Sequence, residues 1–417
     1  MGESVGVISN KAKKARVSTQ LLMDVPLLIT VVILLVFGLL MLYSASWSYS
    51  LQAFDSGTYI LFRQMRWVIV GLFAMGILSF VNYHHIQYFA LWFMLGVLAV
   101  LMFVLVDVRN IGSTTGYTRT VTGSGSGQPS EFAKVAVILY LASFLSSHRE
   151  NLNSLTKGTF PAIVVIGAPT LLVFLQPDIS AAVTIAVIGG IMLFISGGNM
   201  KHIGVIIFIM IVAVAAGYFF FDKVGVRLEE YIAGLLNPTG ASYHIRRAYN
   251  AIINGGIFGV GIGKGKAKLT GLPFAWTDSI FAVILEETGL VGGIFVIILY
   301  TVILWRGYEI FKKAPDVYGK TLAAGITLWI FMEAALNICV ILNIMPFAGN
   351  ALPLISLGGS SMFCTMASLG ILLNISRVSA IENAKKGRNE PDAIINMRGG
   401  DWGWRVSRPG SSSGREE

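Results

Sequence analysis

The chain has 417 residues, 55% of them hydrophobic and only 13% charged, with a net charge of +9 and a mean hydropathy of +0.72. Soluble domains carry about 25% charged residues, so this composition excludes a protein that faces water on all sides. The basic excess suits an anionic inner leaflet and calls for no nucleic-acid partner.

Apolar runs long enough to cross a ~30 Å hydrocarbon core recur near 25–46, 66–82, 87–106, 131–147, 159–175, 178–196, 202–220, 279–305, 319–342 and 353–375. A closed barrel would show alternating strands of about ten residues instead. The expected fold is therefore all-α, a polytopic membrane protein of about ten transmembrane helices. A stretch of more than twenty residues, rich in polar and basic side chains, precedes the first run and no small-residue cleavage site follows it. It reads as a retained membrane helix rather than a signal peptide.

Three regions follow: a basic N-terminal arm, 1–23; a membrane domain, 24–376; and a tail, 377–417, that is rich in Gly, Arg, Ser and acidic residues and reads as disordered. With ten spans both termini share one side. That side collects nineteen basic residues against eleven opposite, so both termini are expected in the cytoplasm. Two outer loops exceed simple connectors: 107–130, rich in Gly, Ser and Thr, and 221–277, between the seventh and eighth spans.

Ionisable groups near membrane spans are functional candidates. In chain order they begin with Arg63, in YILFRQMRW just before the second span. Glu131 and Lys134, in QPSEFAK, are spaced to pair on one helix face. They read either as a local cap and ion pair or as a cation held for an anionic head group. Asp178, in LQPDIS, suits the N-cap of the sixth helix.

The stretch 259–287, GVGIGKGKAKLTGLPFAWTDSIFAVILEE, sets Lys264, Lys266 and Lys268 ahead of Asp278. Thr277 can cap the helix expected there, leaving the Asp278 carboxylate available. The lysines hold it ionised and the low dielectric behind it opposes that, which suits a general base; a plain first-turn acid is the other reading. Glu286 lies ~12 Å farther along the axis and ~80° around it. Glu286 and Glu287 are expected to meet polar groups on other helices, and Glu333 lies in the ninth span. The glycine-lysine run fits neither nucleotide-binding glycine pattern, but its backbone N–H groups and cations suit phosphate. Cys339 and Cys364 lie in apolar runs and point to neither redox chemistry nor a metal.

The ordered motifs RQ..W, QPSEFAK, LQPD, GGIFGVGIGKGKAKLTGLPFAWTDSIFAVILEETG and NIMPFAGNALPLISLGGSS resemble the SEDS family (shape, elongation, division and sporulation) across residues 24–376. The resemblance implies a ten-helix peptidoglycan glycosyltransferase that polymerises lipid II at the outer face of the bacterial cytoplasmic membrane. It implies Asp278 as the essential carboxylate, Glu131, Lys134 and Arg119 as further site residues, and a GGSS motif at Gly358, Gly359, Ser360 and Ser361. NICV, at 337–340, is more FtsW-like than RodA-like. The chain departs from the family pattern at Ser279 (an aromatic in the family), Leu357, Gly265, Thr120, and at His244 and Arg247, where glutamines are common.

On this reading Asp278 takes the proton of an acceptor sugar hydroxyl. Lys134, Arg119, Arg63 and the lysines at 264, 266 and 268 stabilise the departing pyrophosphate, and a divalent cation, Mg or Mn, bridges Asp278 and the phosphates. One well-placed carboxylate favours single-step inversion. The expected partner is a class B penicillin-binding protein, a transpeptidase. The alternative is a lipid II flippase, in which the same charges guide a head group without chemistry.

Overall fold

The computed structural model describes residues 23–110, 127–152, 154–176, 178–198, 204, 218, 222–237, 240–346 and 349–389. Its helices are α1 (Val25–Phe54), α2 (Tyr59–Phe80), α3 (Tyr83–Asn110), α4 (Pro129–Ser147), α5 (Phe160–Leu175), α6 (Ile179–Ile195), α7 (Asp222–Leu236), α8 (Tyr243–Gly255), α9 (Ile280–Lys313), α10 (Val317–Ile341) and α11 (Gly359–Asn389). Among the described residues eight helices are long and apolar enough to cross a membrane, and α6 is a shorter apolar helix. The seventh expected span, 202–220, falls outside the described residues except for 204 and 218. So do Arg119, most of the loop 107–130, nearly all of the N-terminal arm and the tail beyond 389.

The caps are short polar side chains placed as helix signals require. Asp24 accepts the Leu27 N–H at 3.0 Å to start α1. Asp316 accepts the Gly319 N–H at 3.1 Å to start α10. Asp178 caps α6, accepting the Ala181 N–H at 3.4 Å.

Two polar clasps fix α1 against α9. At one end Asp24 pairs with Arg306, Nη2 to Oδ2, at 2.5 Å. At the other, the Ser44 hydroxyl donates to Glu287 at 2.7 Å. The clasps are about twenty residues apart on both helices, or ~30 Å at helical rise, which matches a hydrocarbon core. The Ser44 clasp therefore marks the outer edge of the apolar layer when Asp24 marks the inner one. Asn374 of α11 bonds the Ser79 carbonyl and the Tyr83 N–H at the α2–α3 turn, which returns α11 to the Asp24 side.

Two helix starts differ most from expectation. α2 begins at Tyr59, so Arg63 lies inside the helix and not before it; the polar RQMR run lowers local hydropathy without breaking the backbone. α11 begins only at Gly359, because Leu352, Leu354 and Ile355 are buried in an irregular segment, with Leu354 at φ 66°. Hydropathy does not separate a buried irregular segment from a helix.

Candidate active site

The outer ends of α4, α6 and α11, the turn before α9 and the loop 349–358 enclose a polar cavity of about 350 Å³. It is lined by Asp278, Glu131, Lys134, Asp178, Glu333, Ser360 and Ser361, among others. Four carboxylates thus meet one space. Glu131, Asp178 and Glu333 are 8%, 4% and 5% exposed, whereas Asp278 is half-buried and is the one a ligand reaches most readily.

The three buried acids have firm partners. Lys134 Nζ pairs with Glu131 Oε1 at 2.9 Å and also with Glu333. The pairing of Glu131 with Lys134 is the i,i+3 contact expected on one helix face; the second carboxylate comes from α10, 199 positions along the chain. One cation contacts two carboxylates from different helices, so Lys134 stands as the hub of an ion cluster. Asp178, besides capping α6, accepts from Gln128 Nε2 at 2.7 Å and from the Ser130 hydroxyl at 3.0 Å. The Gln128 N–H donates to the Ser360 hydroxyl at 3.1 Å, joining the α4 start to the GGSS segment.

Asp278 is not in a helix. α9 begins at Ile280, and Thr277 does not cap it: its hydroxyl donates to the Phe274 carbonyl at 3.3 Å. The carboxylate stands on the turn 273–279, held from several sides. The Trp276 carbonyl accepts the Leu357 N–H at 2.9 Å and the Thr277 carbonyl accepts the Ser356 hydroxyl at 2.7 Å. Asn337, the first residue of NICV, donates to the Asp278 carbonyl at 2.8 Å and to the Asn350 carbonyl at 2.6 Å. Gln64 of α2, from the RQ..W motif, bonds the Ser356 carbonyl and the Gly358 N–H. The Trp276 ring stacks on Tyr49 of α1 at 4.1 Å. Two positions that depart from the family pattern touch here, since the Ser279 hydroxyl and His244 Nε2 are 2.6 Å apart.

The glycine-lysine loop is built differently from the sequence expectation. None of Lys264, Lys266 and Lys268 lines the cavity with Asp278. Glu287 takes Lys268 Nζ at 2.6 Å and the Gly263 N–H at 3.0 Å. Glu286 takes the Lys266 and Ala267 N–H groups, each at 3.0 Å. The anion nested by this loop is therefore the protein's own pair of carboxylates. Among the described residues, and apart from Ser44, the side-chain partners of Glu286 and Glu287 lie in the loop rather than on other helices.

The glycines serve the same junction. α9 breaks at Gly289 (φ 70°, ψ −170°). The freed Glu286 and Glu287 carbonyls accept the Val260 and Gly261 N–H groups at 3.0 Å, while the Leu290 N–H donates to the Gly256 carbonyl at 3.0 Å. A broken helix in an apolar layer needs such replacement partners. Lys264 and Lys266 remain exposed on the loop, and Arg63 is partly buried on α2, outside the cavity.

Among the described residues no three His, Cys, Asp or Glu side chains converge as a metal cage. Asp278 offers a single hard carboxylate. That donor set fits a cation carried largely on substrate phosphates, as magnesium is commonly held, and not a resident ion.

Comparison with known proteins agrees with this architecture. The family model described as a cell cycle protein, that of FtsW, RodA and SpoVE, matches residues 25–381. Stage V sporulation protein E of Bacillus subtilis (strain 168) is 34% identical over 364 residues, which cover 85% of this chain and 97% of that one. A probable peptidoglycan glycosyltransferase FtsW of Trichlorobacter lovleyi is 35% identical over 359 residues, 85% of this chain and 93% of that one. Among solved structures, one described as the structural coordination of polymerization and crosslinking by a peptidoglycan synthase complex matches with a TM-score of 0.69 and 24% identity, covering 86% of this chain and 99% of that one. The rod shape determining protein RodA of Thermus thermophilus matches with a TM-score of 0.60 and 22% identity, covering 86% and 97%. The fold is that of a polytopic helical membrane protein, and the chain belongs to the FtsW, RodA and SpoVE family of cell cycle proteins, the SEDS family its motifs resemble.

Proposed function

We propose that this multi-pass protein of the bacterial cytoplasmic membrane is a peptidoglycan glycosyltransferase. It transfers the glycan of a lipid II donor to a sugar hydroxyl of another lipid II or of a growing strand, at the outer face. The observation that carries the reading is the half-buried Asp278 carboxylate on a polar cavity at the outer helix ends. It is supported by relatives named probable peptidoglycan glycosyltransferase FtsW. The flippase alternative has no comparable support.

In the proposed reaction the acceptor hydroxyl oxygen bonds to the donor anomeric carbon and its proton passes to Asp278. The bond from that carbon to the pyrophosphate oxygen breaks, and the electron pair leaves with the pyrophosphate. Attack from the face opposite the leaving group inverts the centre. The Glu131–Lys134–Glu333 cluster shapes the cavity wall, Asp178 braces it, and Ser360 and Ser361 offer hydroxyls to the head group. A divalent cation, when bound at Asp278, supplies positive charge to the leaving phosphates. Lys264 and Lys266 lie exposed near the outer edge of the apolar layer, where lipid phosphates sit; Arg63 and Arg119 keep a substrate role by resemblance alone.

The working partner on this reading is a class B penicillin-binding protein that crosslinks the strand. The related peptidoglycan synthase complex, described as coordinating polymerization and crosslinking, favours such an assembly. The test is a gel assay with the purified protein, the transpeptidase and labelled lipid II. Polymer ladders support the reading; lipid II translocation in liposomes with no polymer overturns it.

A further inference from the structure

We propose that His244, on α8, is a positioning residue that sets the geometry of Asp278 through the Ser279 hydroxyl. The inference rests on the reading of Asp278 as the reacting carboxylate.

Asp278 stands on a turn, so its aim depends on the bonds that close that turn. The Ser279 hydroxyl reaches back across it to the Pro273 carbonyl at 2.7 Å. The same oxygen lies 2.6 Å from His244 Nε2. A hydroxyl carries one proton, and a proline carbonyl can only accept. Both contacts are made when Ser279 donates to Pro273 and His244 donates its Nε2–H to Ser279. The chain His244, Ser279, Pro273 then runs in one direction and leaves Ser279 one rotamer.

The donor is itself fixed. Ser279 is fully buried and His244 nearly so. His244 sits in the first turn of α8, which Ser242 caps by accepting the Ile245 N–H at 3.3 Å. Ala248 and Ala251 are fully buried, and α8 lies so close to α9 that a β-carbon at Gly255 would stand 2.0 Å from the Leu285 carbonyl oxygen. Burial also pushes the imidazole pKa down to about 4, so the ring is neutral and its single proton resides on Nε2 near pH 7. The outer helix α8 thereby braces the residue next to Asp278, whose own backbone carbonyl Asn337 holds.

Removing the Nε2 donor frees the hydroxyl and leaves a buried acceptor unmatched. The effect falls on the orientation of Asp278 and not on the head-group contacts, so kcat changes while KM holds. The test uses the full chain with its transpeptidase and labelled lipid II, comparing wild type with Asp278→Asn, His244→Ala, His244→Gln, Ser279→Ala and the double variant His244→Ala/Ser279→Ala.

The expected results are a kcat loss of about 10- to 100-fold for His244→Ala, KM within about twofold, and recovery to within about threefold of wild type in His244→Gln, whose amide can donate. The double variant is expected to be no slower than the worse single variant, as for two residues acting as one unit. Wild-type kcat in His244→Ala, His244→Gln as slow as His244→Ala, or multiplying losses in the double variant would overturn the inference. Should His244→Ala not fold, Ser279→Ala and His244→Gln decide it: a slow Ser279→Ala with a near-normal His244→Gln supports it, and any other pattern does not. Equal polymer from wild type and Asp278→Asn instead removes the functional reading and this inference with it. Wild-type rates in His244→Ala beside an inactive Asp278→Asn remove the inference alone.

Discussion

Gly349 lies against the Asp278 carboxylate so closely that a β-carbon at 349 would stand 2.8 Å from Asp278 Oδ2. The loop 349–358 therefore forms one wall of the space that carboxylate occupies. Gly349→Ala is expected to displace Asp278 by a few tenths of an ångström and to cut lipid II polymerisation by about tenfold or more. The melting temperature should shift little, because nothing in the core is removed. Kinetics together with thermal unfolding in detergent check both halves.

Lys134 holds Glu131 and Glu333 together in the bundle interior. Removing the cation leaves two buried carboxylates facing one another, whereas removing one acid leaves a balanced pair. Lys134→Ala is expected to destabilise by about 3–5 kcal/mol, and Glu333→Gln by clearly less. Thermal unfolding of the two variants, followed by fluorescence-detected size exclusion, gives the order.

Much of this site is legible in sequence because charge is scarce in an apolar chain. Asp278, Glu131, Lys134 and Asp178 stand out for that reason, and the structure gathers all four around one cavity. What sequence does not carry is pairing over long separations. Glu333 was visible as an acid in a span, but nothing local ties it to Lys134 on another helix. The lysines at 264, 266 and 268 look poised beside Asp278 because they are near it in sequence, while Glu286 and Glu287 reach back and take up the loop's amides. The paired charges of 286–287 and 264–268, within twenty-odd residues of one another, were the available signal for that closure. Ser279 and His244 each read only as a departure from a pattern until their contact is seen.

The clasp at Glu287 yields its own outcome. This carboxylate takes Ser44, Lys268 and the Gly263 amide, so Glu287→Ala removes the anion around which the loop is wrapped. Hydrogen exchange of the amides at 260–268 should accelerate several-fold, with α10 unaffected. Lys268→Ala should accelerate the same amides less, since the Gly263 bond survives.

His244 adds a pH dependence. Burial lowers its pKa from 6.5 to about 4. Between those values the unfolded chain binds this proton and the folded chain does not, so stability is full above about pH 6.5 and is lost as pH falls towards 4. The melting-temperature advantage of wild type over His244→Gln should therefore shrink steadily from pH 7 to pH 4.5. A difference that is flat or grows towards acid would mean that the imidazole is not held neutral.

The most direct test of the central claim is polymer synthesis by Asp278→Asn. The substitution keeps the size of the side chain and the backbone bond from Asn337 while removing the group that accepts the proton. With labelled lipid II and the transpeptidase, the account predicts no ladder from a variant that elutes and melts like wild type. A ladder of wild-type intensity from that well-folded variant would contradict it.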